Sequence, residues 1–375
     1  MSLTGKNLRA FGLDISDSSV KVMLLKKSGS EIRPEAFNAV IFPRGIVVKD
    51  EIKDPEKLAE IVKKTVAGAK PHSINVPYVI TSLPESKSFI RIFDLPAMKK
   101  SEVPAAVKWE AEQHIPLAID QVEMDWKIIP TNSEQKSARK SIWSRNSKKE
   151  ERDLPWKIFM TAAPKETTSP IVKVLKLAGL QPVAMEIESI STARSCINPE
   201  WTQKNILFVD IGTNRTGLTI YSQGLIKFTS SLALAGVDIS KNIVKHTGYS
   251  FTEAEKAKIQ FGLDPVKQAP KIKLAIEEVL KQIISETKNT IDYYANNSDN
   301  EGGQIDMVLM CGGSARLSGL DSFLTRHLSV PTQMANPWVN IYSATAKNIP
   351  PISSSDSLSF TTVIGLAQRG LDFSI

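Results

Sequence analysis

The sequence predicts an α/β protein built as two related lobes, and three observations carry that prediction. At 375 residues the chain exceeds the size at which one hydrophobic core keeps growing, so at least two domains are expected. An apolar run into an aspartate, a polar turn and a second, alternating strand occur around Asp14 and again 196 residues later around Asp210. Between and after these hairpins, stretches of period two alternate with amphipathic helical stretches. A repeat of this length implies two similar lobes, not a short-period solenoid.

Composition is that of an ordinary globular chain, 42% hydrophobic and 23% charged, with a mild net charge of +7 that selects no partner class. Cys196 and Cys311 stand alone, which fits a reducing compartment without disulfides or thiolate metal sites. The N-terminal MSLTGKNLRAFGLDIS has no signal-peptide core, and no apolar run is long enough to be a transmembrane segment. A cytoplasmic location is expected, with any membrane association supplied by a partner.

Phe11 to Ile15 reads as a strand, and Val20, Val22 and Leu24 as the next, with Asp14 at the tip of the hairpin. Asp54 and Pro55 open a helix whose apolar face is Leu58, Ile61, Val62, Thr65 and Val66 and which ends near Gly68. Strands follow at Tyr78 to Leu83 and Phe89 to Phe93, joined by a turn at Pro84, Glu85 and Ser86. Ser101 is expected to cap a helix with Pro104 in its first turn and Val107, Ala111 and Ile115 on one side. Residues 84–164 therefore read as a small α+β insertion. Within it, residues 131–155 carry seven basic and four acidic residues without periodicity, and are read as a solvated loop. Contact of the basic residues around Trp143 with anionic lipid or a partner is the other reading.

The pattern resumes with a strand at Lys157 to Ala162, a helix ending at Gly179, a strand at Val183 to Ile187 and a helix from Ser189. Then the opening repeats: Ile206 to Ile211, the turn Gly212-Thr213-Asn214, and a strand through Thr216, Leu218 and Ile220. These stand at +6, +8 and +10 from Asp210, as Val20, Val22 and Leu24 do from Asp14. A long amphipathic helix at Ile272 to Tyr294 follows, then a buried strand at Met307 to Met310 and the turn Gly312-Gly313-Ser314 leading into a helix.

A strand ending in aspartate and a tight turn presents several backbone N–H groups to phosphate oxygens, while the carboxylate can hold a hydrated Mg²⁺. Two such hairpins can grip one nucleotide from opposite sides, and Gly312 and Gly313 allow a third close approach. The alternative is that Asp14 and Asp210 merely end strands and cap turns. Glu255 and Lys258, three apart on one helix face, can hydrogen-bond a ribose, although Thr252-x-x-Glu255 also reads as a capping box. The four histidines form no ligand pair, and no Walker loop, nucleophile elbow or zinc motif occurs.

The order of motifs FGLDISDSSVKVMLL, ILFVDIGTNRTGLTIY and MVLMCGGSARLSGL resembles the actin-like ATPase superfamily. Within it the chain resembles the PilM family of type IV pilus assembly proteins, through Leu95-Pro96-Ala97-Met98, VKWEAEQHIPLAIDQVEMDW, AAPKE, Lys176 to Leu180 and VIGLAQRG, which together span almost the whole chain. The resemblance implies an actin-like fold of duplicated ribonuclease-H-like subdomains: 1A at 1–83 and 165–200, a 1C insertion at 84–164, 2A at 201–236 and 305–358, 2B at 237–304, and a terminal helix at 359–375 returning to 1A. It implies ATP or ADP with Mg, bound by Asp14, Ser16, Ser18, Ser19 and Lys21 in the first hairpin. Asp210, Gly212, Thr213 and Asn214 follow in the second, with Gly236 as a further nucleotide contact, Gly312, Gly313 and Ser314 at the adenosine, and Glu255 and Lys258 at the ribose. Asp14 and Asp210 would hold Mg through water. Glu188 stands where related proteins carry a glutamate near the attacking water or metal; its other reading is an acid at a helix start.

The implied partner is the N-terminal cytoplasmic peptide of a PilN-like inner-membrane protein, taken up on the 1A and 1C side, with linkage to the pilus motor ATPase; self-association stays open and no nucleic acid is implied. Ser16 in place of the family's glycine, the extra charge of Asp17, and Ala235-Gly236 in place of Gly-Gly depart from the pattern, so the expected activity is ATP binding with at most slow hydrolysis. FtsA-like cell-division proteins, GspL-like secretion proteins and sugar or acetate kinases of the superfamily are the competing readings. The chain ends at Ile375 without the membrane helix expected of the first or the spanning segment expected of the second, and offers no base for the third.

Overall fold

The structure is a computed structural model that describes residues 9–29, 31–129, 154–264, 266–267, 269–296, 303–342 and 350–371. It divides into two compact units, Met1–Ser86 with Pro170–Ile375, and Lys87–Ser169. The basic stretch read as a loop lies outside the described residues up to 153; Leu154 and Pro155 already begin a strand.

The larger unit contains two five-stranded sheets of one design. In the first, β1 (Phe11–Ile15), β2 (Ser19–Ser28) and β3 (Glu31–Ile41) form an antiparallel meander, and β6 (Tyr78–Leu83) and β10 (Gln181–Ile187) add in parallel on the far side of β1. In the second, β11 (Ile206–Ile211), β12 (Thr216–Ser222) and β13 (Leu225–Leu232) repeat the meander, and β14 (Met307–Cys311) and β15 (Thr332–Met334) repeat the parallel addition. The central strands are buried on both faces, which is why they read as unbroken apolar runs: Phe11, Leu13 and Ile206 to Val209 are almost fully inaccessible. A two-residue ladder of β4 (Val47–Val48) and β5 (Glu51–Ile52) turns at Lys49 and Asp50, both with positive φ.

Helices cover the sheets. Asp54 caps α1 (Pro55–Ala67) by accepting the Lys57 N–H, Pro55 occupies the first turn and Gly68 ends the helix, as expected. The C-terminal helix Thr361–Leu371 packs against β1 and against Glu188–Cys196, and glycines set that closeness. A Cβ on Gly12 would lie 2.6 Å from the Val363 carbonyl oxygen; one on Gly365 or Gly370 would overlap the Ser191 or Ala10 carbonyl. Buried Glu186 pins the same junction, accepting from Arg194, from Ser191 Oγ at 2.7 Å and from Arg369 at 2.9 Å. The glycines of VIGLAQRG thus have a steric cause.

In the smaller unit β7 (Phe89–Met98), β9 (Leu154–Pro164) and β8 (Val122–Ile129) form an antiparallel sheet, and α2 (Val103–His114) covers one face with Val103, Val107 and Ala111. Ser101 does not cap this helix. The turn from Lys99 to Glu102 is already closed by the Glu102 N–H on the Lys99 carbonyl, so the cap is Glu102, in helical conformation and without a side-chain bond to the helix. Trp109 stands 64% exposed on the outer face of α2.

Gly365→Ala is expected to destabilise the protein by roughly 1–3 kcal/mol, or to prevent folding, because the methyl has no space. Gly179→Ala, opposed only by a φ of +78° with nothing within 4 Å, should cost about 1–2 kcal/mol. Urea unfolding of the two variants measures the difference.

Candidate phosphate-binding cleft

The two aspartate hairpins are built alike and face each other within the larger unit. In the first, the Ser16 N–H donates to the Ser19 carbonyl at 2.9 Å; in the second, the Gly212 N–H donates to the Arg215 carbonyl at 3.0 Å. Each turn is closed between the second and fifth residues after its aspartate. Ser16 adds what glycine cannot: its Oγ accepts the Ser19 N–H at 3.2 Å and lies 2.9 Å from Ser19 Oγ. Its backbone stays outside the left-handed region, so the position does not need glycine.

Asp14 is buried, opposite Lys21 on the β1–β2 ladder, with Nζ 3.4 Å from Oδ2. Its Oδ1 accepts Ser82 Oγ–H from the end of β6 at 2.9 Å. Ser18 receives the Phe42 N–H on its carbonyl at 2.9 Å. Asp17 does not hang free before the hairpin. Its Oδ1 accepts the Asp50 N–H and its Oδ2 accepts Asn214 Nδ2–H, both at 2.9 Å, so it ties the first hairpin to the second.

The second hairpin rests on the start of α5, which is Gly236–Thr247 once Glu188–Cys196 is counted α4, after α3 at Lys165–Leu177. The Gly212 carbonyl accepts the Gly236 N–H at 3.2 Å and Ser314 Oγ–H at 2.9 Å, and the Thr213 carbonyl accepts the Val237 N–H at 2.9 Å. A Cβ on Gly236 would overlap Ser314 Oγ, and one on Gly312, at φ +86°, would overlap Asp210 Oδ1. Ala235, in extended backbone and fully buried, fits where the family pattern has glycine. Gly313 and Ser314 begin a short 3-10 turn, Gly313–Arg316, ahead of the next helix.

Glu255 and Lys258 share a face of α6 (Phe251–Phe261), as the spacing predicts, with Nζ 2.9 Å from Oε1. Lys258 also donates to the Gly236 carbonyl at 2.9 Å and to Ser240 Oγ at 2.8 Å, so it anchors the turn before α5. The capping box is not Thr252 with Glu255. The helix starts at Phe251, and Ser250 with Glu253 exchange the capping bonds, which leaves Thr252 inside the first turn and Glu255 free to face Ser240.

Four contributors had little or no sequence signal. Arg215, from the second hairpin, reaches across to Glu188 at the start of α4 and lies 3.7 Å from Asp50. It stands at +5 from Asp210, as Ser19 does from Asp14, so a cation in a phosphate turn was the available clue. Ser82, Asp50 and Glu85 arrive only through folding: Ser82 on Asp14, Asp50 beside Arg215, and Glu85 Oε2 on the Ser189 N–H at 3.2 Å.

Charge in the cleft is unbalanced. Burial pushes Glu188 up to about 8, with Asp14, Asp50 and Asp210 adding to the rise and Arg215 opposing it. Burial likewise raises Asp210, with Asp14 repelling it while Arg215 and Lys21 pull it back, and raises Glu85. Arg215, although desolvated, is held charged by Glu188, Asp50, Asp210 and Glu85. Carboxylates thus outnumber the cations Lys21 and Arg215, a deficit that a divalent cation would relieve. Among the described residues no three His, Cys, Asp or Glu side chains form a metal cage. Mg²⁺ keeps waters and takes one or two carboxylates together with phosphates, so it needs no such cage.

A family model described as type IV pilus assembly protein PilM matches residues 12–371. A solved structure titled PilM-PilN type IV pilus biogenesis complex superposes with a TM-score of 0.76 at 22% identity, over 98% of this chain and 100% of that one. The ethanolamine utilization protein EutJ from Carboxydothermus hydrogenoformans aligns with a TM-score of 0.55 at 14% identity over 96% and 88% of the two chains. MreB5 of Spiroplasma citri bound to ADP gives 0.52 at 14% over 97% of each. Cell division protein FtsA of Pseudomonas aeruginosa is 20% identical over 235 residues, 58% of this chain and 54% of that protein, so the chain spans about half the length of this curated relative. The expected actin-like fold is therefore present.

A carboxyl whose folded value lies above its unfolded one contributes stability that is complete below the unfolded value and is lost as pH rises through the folded one. For Glu188 that window runs from 4.5 to about 8. Glu188→Gln is expected to flatten the fall in Tm across this window and to raise Tm at pH 8, as read by thermal melting from pH 5 to pH 8.5.

Proposed function

The chain belongs to the PilM family of type IV pilus assembly proteins, and we propose that it serves there as an ATP-binding scaffold whose nucleotide state sets its hold on a membrane-protein peptide. The observation that carries the nucleotide reading is the matched pair of turns, closed by equivalent hydrogen bonds and following strands in which Asp14 and Asp210 are the next-to-last residues. In this reading the turn amides of Ser16 to Ser19 and Gly212 to Asn214 and the Lys21 ammonium receive the phosphates, while Asp14 and Asp210 orient a hydrated Mg²⁺. Bound there, Mg²⁺ neutralises phosphate charge. Gly236 and the Gly312-Gly313-Ser314 turn admit the adenosine close to backbone, and Glu255 with Lys258 take the ribose. MreB5, solved with ADP, supports the nucleotide class.

Asp17 and Asn214 link the two turns, so any ligand between them must act on that link. Nucleotide then shifts the population of lobe arrangements and, through it, partner affinity. The partner in this reading is the N-terminal cytoplasmic peptide of a PilN-like inner-membrane protein, in line with the solved complex of that name, and the exposed Trp109 is its candidate anchor. Among the described residues no helix is long and apolar enough to cross a membrane. The peptide would hold the protein at the cytoplasmic face of the inner membrane and couple it to the pilus motor. In this reading Glu188 would be the group that acts on water, with at most slow turnover.

Two measurements follow. Asp210→Asn and Asp14→Asn should each weaken binding of a fluorescent ATP analogue in the presence of Mg²⁺ by at least about tenfold with the fold retained; unchanged affinity in both would remove the clamp reading. A peptide from the N-terminus of the cognate PilN-like protein should bind in calorimetry. Its affinity should change about fivefold or more with ATP and should drop in Trp109→Ala. No heat at high micromolar peptide with folded protein would sink the scaffold reading.

A further inference from the structure

We propose that Arg215 silences hydrolysis at this site: its guanidinium occupies the carboxylate of Glu188 and so keeps a bound ATP intact. The inference rests on the nucleotide reading above. Glu188 Oε2 receives both the Glu85 N–H, at 3.4 Å, and Arg215 Nη2–H. The arginine comes from the opposite lobe, from a turn fixed by its own carbonyl on the Gly212 N–H. Only 23% of the Arg215 side chain and 20% of that of Glu188 are accessible, so this is not a solvated surface pair of negligible strength.

Hydrolysis needs a base to take a proton from water while the water oxygen bonds to the γ-phosphorus and the bond to the β,γ-bridging oxygen breaks, leaving ADP and inorganic phosphate. A water can be oriented for that step only by a carboxylate oxygen with a free lone pair in the right direction. At Glu188, Oε2 is taken by the guanidinium through Nη2 together with the Glu85 N–H. The same guanidinium lies 3.7 Å from Asp50 and in the field of Asp210 and Glu85, so its charge acts on the protein's carboxylates. A protein that uses nucleotide to hold a lobe arrangement gains a long-lived bound state from this restraint.

The test is phosphate release at saturating Mg-ATP, with affinity for a fluorescent ATP analogue and thermal melting measured on the same full-length proteins. Arg215→Gln is expected to bind the analogue within about threefold of wild type and to release phosphate at least about tenfold faster. Arg215→Lys, which keeps the charge but loses the fork, should fall between them. The double variant Arg215→Gln with Glu188→Gln should return to the wild-type rate, a reversal that a merely structural role would not produce. A folded, nucleotide-binding Arg215→Gln that is no faster overturns the proposal, as does a double variant as fast as the single one. Loss of nucleotide affinity beyond about tenfold in Arg215→Gln makes the arginine a phosphate ligand and also overturns it. If Arg215→Gln does not fold, Arg215→Lys decides: a faster rate supports the proposal and an unchanged rate overturns it. Wild-type protein that binds no nucleotide overturns the nucleotide reading and this inference together.

Discussion

One cation, Arg215, stands among carboxylates that would otherwise repel one another across the cleft. Glu188, Asp50, Glu85 and Asp210 all act on it, and three of these acids have their proton affinity raised by burial. Like charges in a poorly solvated space are relieved by protonation or by a counter-ion between them, and Arg215 is such a counter-ion. Because Arg215 belongs to the second hairpin and Glu188 and Asp50 to the first lobe, the same charge that makes the cleft tolerable also ties its walls. The Asp17 to Asn214 bond and the Arg44 guanidinium over the Phe251 ring, 5.2 Å from its centroid, are further ties between the lobes.

The rest of the cleft depends on close backbone approach. Gly236 and Gly312 have no space for a side chain, and each lies against a residue of the cleft wall, Ser314 and Asp210. At the back of the first lobe Gly12, Gly365 and Gly370 let the C-terminal helix settle against β1 and α4, the strand that carries Asp14 and the helix that starts at Glu188. The position of both acids is therefore set by helix-to-strand contacts in which no methyl group can be added. Glu186, buried and held by Arg194 and Arg369, keeps that helix in register.

The departures from the family pattern acquire physical content in this setting. Ser16 closes its turn with its own hydroxyl, so the loss of glycine leaves the turn intact. Asp17, which from sequence alone adds a charge facing phosphates, spends both carboxylate oxygens on Asp50 and Asn214. It acts on the link between hairpins before it acts on a ligand. Lys258, read as a ribose ligand, is also the anchor of the Gly236 turn, so the two roles share one ammonium.

Much of this was legible in the chain. The equal spacing after Asp14 and Asp210 announced two sheets of one design, because a strand pair with a tight turn is a local structure whose hydrophobic period is written in consecutive residues. The Asp54 cap and the buried face of the long helix at residues 270–296 were legible for the same reason. Where local signals compete, the reading slipped by a residue or two: Ser101 and Thr252 look like caps, but the turn before each decides where the helix begins. What only the tertiary structure decided is the electrostatics of the cleft. Arg215 meets Glu188 from 27 residues away, Asp17 meets Asn214 across 197, and Ser82 meets Asp14 across 68. No period or spacing encodes such pairs, since the first two depend on how two independently formed sheets come to rest against each other and the third on which distant strand pairs with β1.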